Sequence, residues 1–128
     1  MDARGFDAVI LIAHGARDAR WTEPFFEMQR RLAERKIAPI VEIAFMEFAA
    51  PSFPDAVSAA RRAGGRRLLV VPIFLSGGGH VAADVPRLVD AERARHPDAT
   101  FAVSGAIGEE PEVAAGMIDA VVRLARGR

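Results

Sequence analysis

The chain has 128 residues, 17 basic and 17 acidic side chains, 51% apolar residues and no cysteine. Its size suits one domain burying about 68% of its unfolded surface, and its composition is that of a globular chain, not a disordered one. Zero net charge gives no general pull toward nucleic acid, and the missing cysteine excludes disulfides, thiolate metal sites, iron–sulfur clusters and a thiol nucleophile.

Taken in chain order, residues 1–5 carry no signal-peptide pattern, and no apolar run approaches the roughly 20 residues that span a bilayer, so a cytoplasmic protein without a membrane partner is expected. Residues 7–13 are a continuous apolar run, as in a parallel strand buried on both faces. A helix is predicted over residues 21–37, with Phe25, Met28, Leu32 and Ile37 on one face and Pro24 in the first turn. Residues 39–46 form a second strand. Ser52 then reads as an N-cap, with Asp55 one turn on, for a helix stopping at Gly64–Gly65.

A third strand covers residues 67–71, and Pro72 should weaken the pairing beyond it, because proline cannot donate to a central ladder. The loop Ser76-Gly77-Gly78-Gly79 leads to a helix over about 82–95. A fourth strand spans 100–104. The last helix covers 109–126, with Val113, Met117, Val121 and Leu124 as its apolar stripe. The pattern is β-α repeated four times across residues 1–128. It predicts one α/β domain: a parallel four-stranded sheet with helices on both faces, in a flavodoxin-like topology.

In an open parallel sheet, ligands sit beyond the carboxyl ends of the strands. There strand one delivers His14, strand two Glu47, and strand three the glycine loop and His80. Alone, His14 reads equally well as a helix cap and His80 as an exposed loop residue. Two of only three histidines at matching rim positions favour a shared site. The third, His96, reads as a solvated surface residue before Pro97. Glu47 lies in an apolar stretch, which suits an acid or base or a third ligand; the rival Glu42 is mid-strand and reads as structural. Two His and a carboxylate suit Co²⁺, Ni²⁺, Fe²⁺ or Zn²⁺.

Three segments carry a resemblance. Residues 10–18, ILIAHGARD, resemble the HGSRD opening of the class II tetrapyrrole chelatases. Residues 45–52, FMEFAAPS, resemble their FLELAEPS segment, and residues 70–86, VVPIFLSGGGHVAADVP, their VVPLFLxxGxHVxxDIP segment. Order and spacing match as well, and the nearest type is the short sirohydrochlorin cobaltochelatase, CbiX. Ala16 departs from the usual serine after His-Gly, and the loop is more glycine-rich than in many relatives.

The resemblance implies ATP-independent insertion of Co²⁺, or Ni²⁺ or Fe²⁺, into sirohydrochlorin, with the divalent metal as substrate and no organic cofactor. It implies metal binding by His14 and His80, Glu47 as site acid or base, and a homodimer, since long members hold two such domains facing a cleft. For the carboxylate-rich macrocycle the sequence offers Arg17 and Arg20 beside His14, more weakly Arg87, and the mobile loop Gly77, Gly78 and Gly79. Each of these arginines reads equally as part of a solvated helix face.

Two other readings stand beside this one. A non-catalytic metal carrier or partner subunit would use the same His pair. A phosphate- or nucleotide-binding module would use Gly77-x-Gly79-x-x-Ala82, but that fingerprint belongs after the first strand and here follows the third.

Overall fold

Four strands, β1 (Ala8–Ala13), β2 (Ile40–Phe45), β3 (Arg67–Pro72) and β4 (Thr100–Val103), pair in parallel in the order β2-β1-β3-β4. The computed structural model describes residues 5–127, and of residues 80–82 the backbone alone. Helices α1 (Ala19–Glu34), α2 (Phe53–Arg62), α3 (His80–Arg95) and α4 (Pro111–Ala125) follow the strands in turn, with a 3₁₀ turn at Ile107–Glu109 before α4.

The continuous apolar run of β1 has a direct cause: this strand is interior and buried along its whole length. Strand alternation sends Ala8, Ile10 and Ile12 to one face, where Phe53, Val57 and Ala60 of α2 and Val85 and Val89 of α3 cover them. Val9, Leu11 and Ala13 point to the other face, against Phe25 and Leu32 of α1. Helices therefore lie on both faces, as the sequence pattern predicts. The connection after β1 leads to β2 and that after β3 leads to β4, on opposite faces. The carboxyl ends of β1 and β3 thus flank the switch point at which open parallel sheets bind ligands.

Local signals set the helix ends. Asp18 caps α1 by accepting from the Arg20 N–H at 2.9 Å, so this helix starts at Ala19, two residues before the expected position, and Pro24 falls inside it. Lys36, at φ 55°, ends it, leaving Ile37 outside and exposed. Ser52 caps α2 as expected, accepting from the Asp55 N–H at 3.2 Å. Pro72 closes β3 opposite Ile12 without disrupting the ladder, because the next residue, Ile73, donates to the Ile12 carbonyl at 2.8 Å. Helix α3 starts at His80, with Gly79 at φ 92° as its N-cap.

The apolar stripe of α4 is largely exposed, Met117, Val121 and Leu124 by 42%, 65% and 65%, and α4 packs chiefly against the 3₁₀ turn at its start. One expectation needs correction. His96 is not a solvated surface residue. It caps the end of α3 with its side chain mostly covered, its Nε2 3.6 Å from the buried carboxylate of Glu92. Among the described residues no helix is long and apolar enough to cross a membrane.

Candidate functional site

The β1–β2 ladder continues one step past the ends of the strands. Met46 N–H donates to the Ala13 carbonyl at 2.9 Å and Glu47 N–H to the His14 carbonyl at 3.0 Å. This register sets His14 and Glu47 side by side at the sheet's carboxyl edge. Gly15 makes the approach possible. Its φ is +100°, and a Cβ there would stand 1.9 Å from the Glu47 carbonyl oxygen, inside any permitted contact.

The two side chains meet: His14 Nε2 lies 3.0 Å from Glu47 Oε2, with each side chain about half exposed. One nitrogen and one carboxylate oxygen thus face solvent together, within reach of a single small ion or of one proton passed between them. A hollow of about 130 Å³ beside them is lined by His14, Met46, Glu47, Asp84, Arg87 and Leu88. The first turns of α3 therefore form its far wall. Arg87 is ion-paired with Asp84 there.

Arg17 and Arg20, grouped by the sequence, separate in the structure. The Arg20 guanidinium grips the Asp18 carboxylate with two nitrogens, holding that carboxyl below its usual range. Arg17 instead lies over the Phe48 ring, its Cζ 4.7 Å from the centroid. The Phe48 ring meets the His14 ring edge-on, at 6.3 Å between centroids and 77° between planes. Phe48 is 51% exposed and holds φ 67°, a left-handed conformation that costs a side chain with a Cβ.

The glycine loop borders a second hollow, of about 180 Å³, lined in part by Gly77, Pro72, Phe74, Ser104 and Glu109. His80 heads α3, the helix that walls the His14 hollow, but its side chain lies outside the described residues. Among the described residues no three His, Asp or Glu side chains converge as a metal cluster. Glu42 stays in mid-β2 opposite Ile10, with its carboxyl pushed up by burial.

Sequence reasoning placed Phe48 among the apolar residues near the rim but missed Asp84 and Leu88 as neighbours of the site. The spacing of Asp84, Arg87 and Leu88 on one helix face was available as a signal. The position of Phe48 depends on a left-handed turn that no glycine marks.

The family model for CbiX matches residues 8–124. A sirohydrochlorin cobaltochelatase of Methanocaldococcus jannaschii is 41% identical over 83 residues, 65% of this chain and 58% of that protein. A chloroplastic sirohydrochlorin ferrochelatase of Arabidopsis thaliana is 38% identical over 82 residues, 64% of this chain and 36% of that protein. The match thus spans less than two thirds of these curated relatives. Among solved structures, a CbiX protein from Marinobacter aquaeolei superposes with a TM-score of 0.81 at 33% identity, covering 94% of this chain and 98% of that one. The sirohydrochlorin chelatase SirB from Bacillus subtilis, in complex with cobalt, superposes with a TM-score of 0.81 at 23% identity. It covers 92% of this chain and 50% of that one, a likeness of fold.

Proposed function

The chain belongs to the CbiX family, and from that premise we propose that it is a metal chelatase inserting a divalent cation, Co²⁺ first and Ni²⁺ or Fe²⁺ as alternatives, into sirohydrochlorin. The observation that carries this reading is the His14–Glu47 pair, 3.0 Å apart at the carboxyl edge of a parallel sheet. Metal insertion replaces two pyrrole N–H protons with one dication. The site must therefore offer the incoming ion a neutral donor and give the departing protons an acceptor.

In this reading the imidazole of His14 holds the metal substrate, with His80 of the α3 N-terminus as the second nitrogen ligand. Glu47 takes up pyrrole protons or completes the metal's coordination. Arg17 receives a peripheral carboxylate of the macrocycle; Arg20 would have to leave Asp18 to do the same. The glycines Gly77, Gly78 and Gly79 let the loop before α3 adjust to a wide, flat ligand.

We propose further that residues 1–128 act as one chelatase domain and that two copies pair. The exposed apolar face of α4 supports pairing: Met117, Ile118, Val121 and Leu124 lie 42–65% open to solvent on one helix.

The test is an anaerobic optical titration of sirohydrochlorin with Co²⁺, Ni²⁺ or Fe²⁺, with and without protein. Faster conversion to the metallated ring supports the chelatase, and the fastest metal identifies its substrate. Tight metal binding with no acceleration by any of the three would replace the enzyme by a metal carrier using the same residues.

A further inference from the structure

We propose that Phe48 is the stacking wall for the tetrapyrrole, and that Arg17, already resting on its ring, clips a peripheral carboxylate of the stacked macrocycle. The proposal rests on the chelatase reading of this site and adds a specificity-determining contact to it.

Three observations converge on Phe48. Its ring is half exposed and stands edge-on to the His14 imidazole, beside the His14–Glu47 pair. Its backbone is held left-handed at φ 67°, and the turn that holds it is pinned on both sides. Glu47 N–H donates to the His14 carbonyl at 3.0 Å, and Phe45 N–H to the Pro51 carbonyl at 2.8 Å. Strained conformations fixed by their surroundings gather at ligand clamps. Lastly, Arg17 lies over the ring at 4.7 Å and, among the described residues, takes no carboxylate, whereas its neighbour Arg20 is occupied by Asp18.

The geometry suits a flat, polyanionic aromatic ring. A guanidinium stacked on an aromatic ring keeps its N–H edge free for a carboxylate. Arg17 covers one face of the Phe48 ring, so a macrocycle would stack on the other, with the His14 ring 6.3 Å from the ring it covers, centroid to centroid. Stacking on Phe48 would then fix the macrocycle against the metal-donating side chain. The chelatase segment FLELAEPS, which residues 45–52 resemble, has leucine at this place, so the aromatic wall distinguishes this chain from that pattern.

The experiment titrates the full chain, without metal, with sirohydrochlorin and with its fully esterified counterpart, following the absorption bands of the macrocycle. Wild type is compared with Phe48→Leu, Arg17→Gln and the double variant, with melting temperature and oligomeric state measured for each. Phe48→Leu is expected to weaken both ligands about fivefold to tenfold, the scale of one lost aromatic stack. Arg17→Gln is expected to weaken only the carboxylate form, and the double variant to lose less than the product of the single losses. The wall is refuted if Phe48→Leu binds sirohydrochlorin as wild type does, whether or not its dimer dissociates. Loss of binding that merely tracks a lowered melting temperature also refutes it. If wild type itself fails to bind sirohydrochlorin, the chelatase reading falls first and takes this contact with it.

Discussion

Replacing Gly15 by alanine isolates the feature that brings His14 and Glu47 together. The added Cβ meets two obstacles. One is the backbone, since φ +100° is disfavoured for any residue with a Cβ and costs about 1–2 kcal/mol. The other is the Glu47 carbonyl oxygen, 1.9 Å away, which cannot move aside as a flexible side chain would. Relief requires prising the ends of β1 and β2 apart, which breaks the Glu47 N–H to His14 carbonyl bond and costs about 1 kcal/mol more. The sum is about 2–3 kcal/mol, or roughly 10 °C in melting temperature for a domain of this size. Gly64 supplies the control: its φ is also +100°, but a Cβ there meets nothing within 4 Å. Gly64→Ala therefore carries the dihedral cost alone, about 1–2 kcal/mol. Thermal melts followed by circular dichroism compare the three proteins, with the metallation assay run on each. Gly15→Ala should melt well below Gly64→Ala and lose metallation, while Gly64→Ala keeps it. Equal melting of the two variants, with metallation intact in Gly15→Ala, would refute the reasoning about close approach.

Other consequences follow from single residues. Glu42→Gln should stabilise the protein at neutral pH, because burial raises the folded-state carboxyl pKa above its unfolded value near 4.5, so the ionised group opposes folding. That gain should shrink as pH falls through the raised pKa and vanish below about 4.5, where the carboxyl is protonated in both states; urea melts at pH 7 and pH 4 check it, and a gain that grows with acid would contradict it. Ser52→Ala removes the side-chain oxygen that accepts from Asp55 N–H at 3.2 Å and should cost about 1 kcal/mol with no change in metallation, read by melting temperature and initial rate. Val121→Glu, on the exposed face of α4, should shift the protein toward monomer in sedimentation without lowering its helix content; an unchanged dimer would exclude that face as the contact.

Much of the fold was legible because its signals are local. The double-sided burial of β1 leaves an unbroken apolar run, Ser52 caps α2 where a serine precedes the helix, and Gly64 follows its last turn. The placement of His14 and Glu47 followed from topology alone, since both stand just past parallel strands. What the sequence did not show depends on tertiary context. The stripe of α4 is periodic whether or not a sheet covers it, so periodicity could not reveal that Val121 and Leu124 face solvent. Burial of His96 depends on Glu92 one turn earlier and on the surrounding packing, not on the proline after it. The division of labour between Arg17 and Arg20 turns on which neighbour each reaches in the fold, Phe48 or Asp18.

The most direct test of the account is the initial rate of Co²⁺ insertion into sirohydrochlorin by His14→Ala and Glu47→Gln beside wild type, each first shown to bind the metal-free macrocycle and to melt as wild type does. Both side chains are half exposed, so neither change should disturb folding. Both variants should bind the macrocycle and lose the acceleration. Wild-type rates in both would contradict this and place the chemistry elsewhere on the chain.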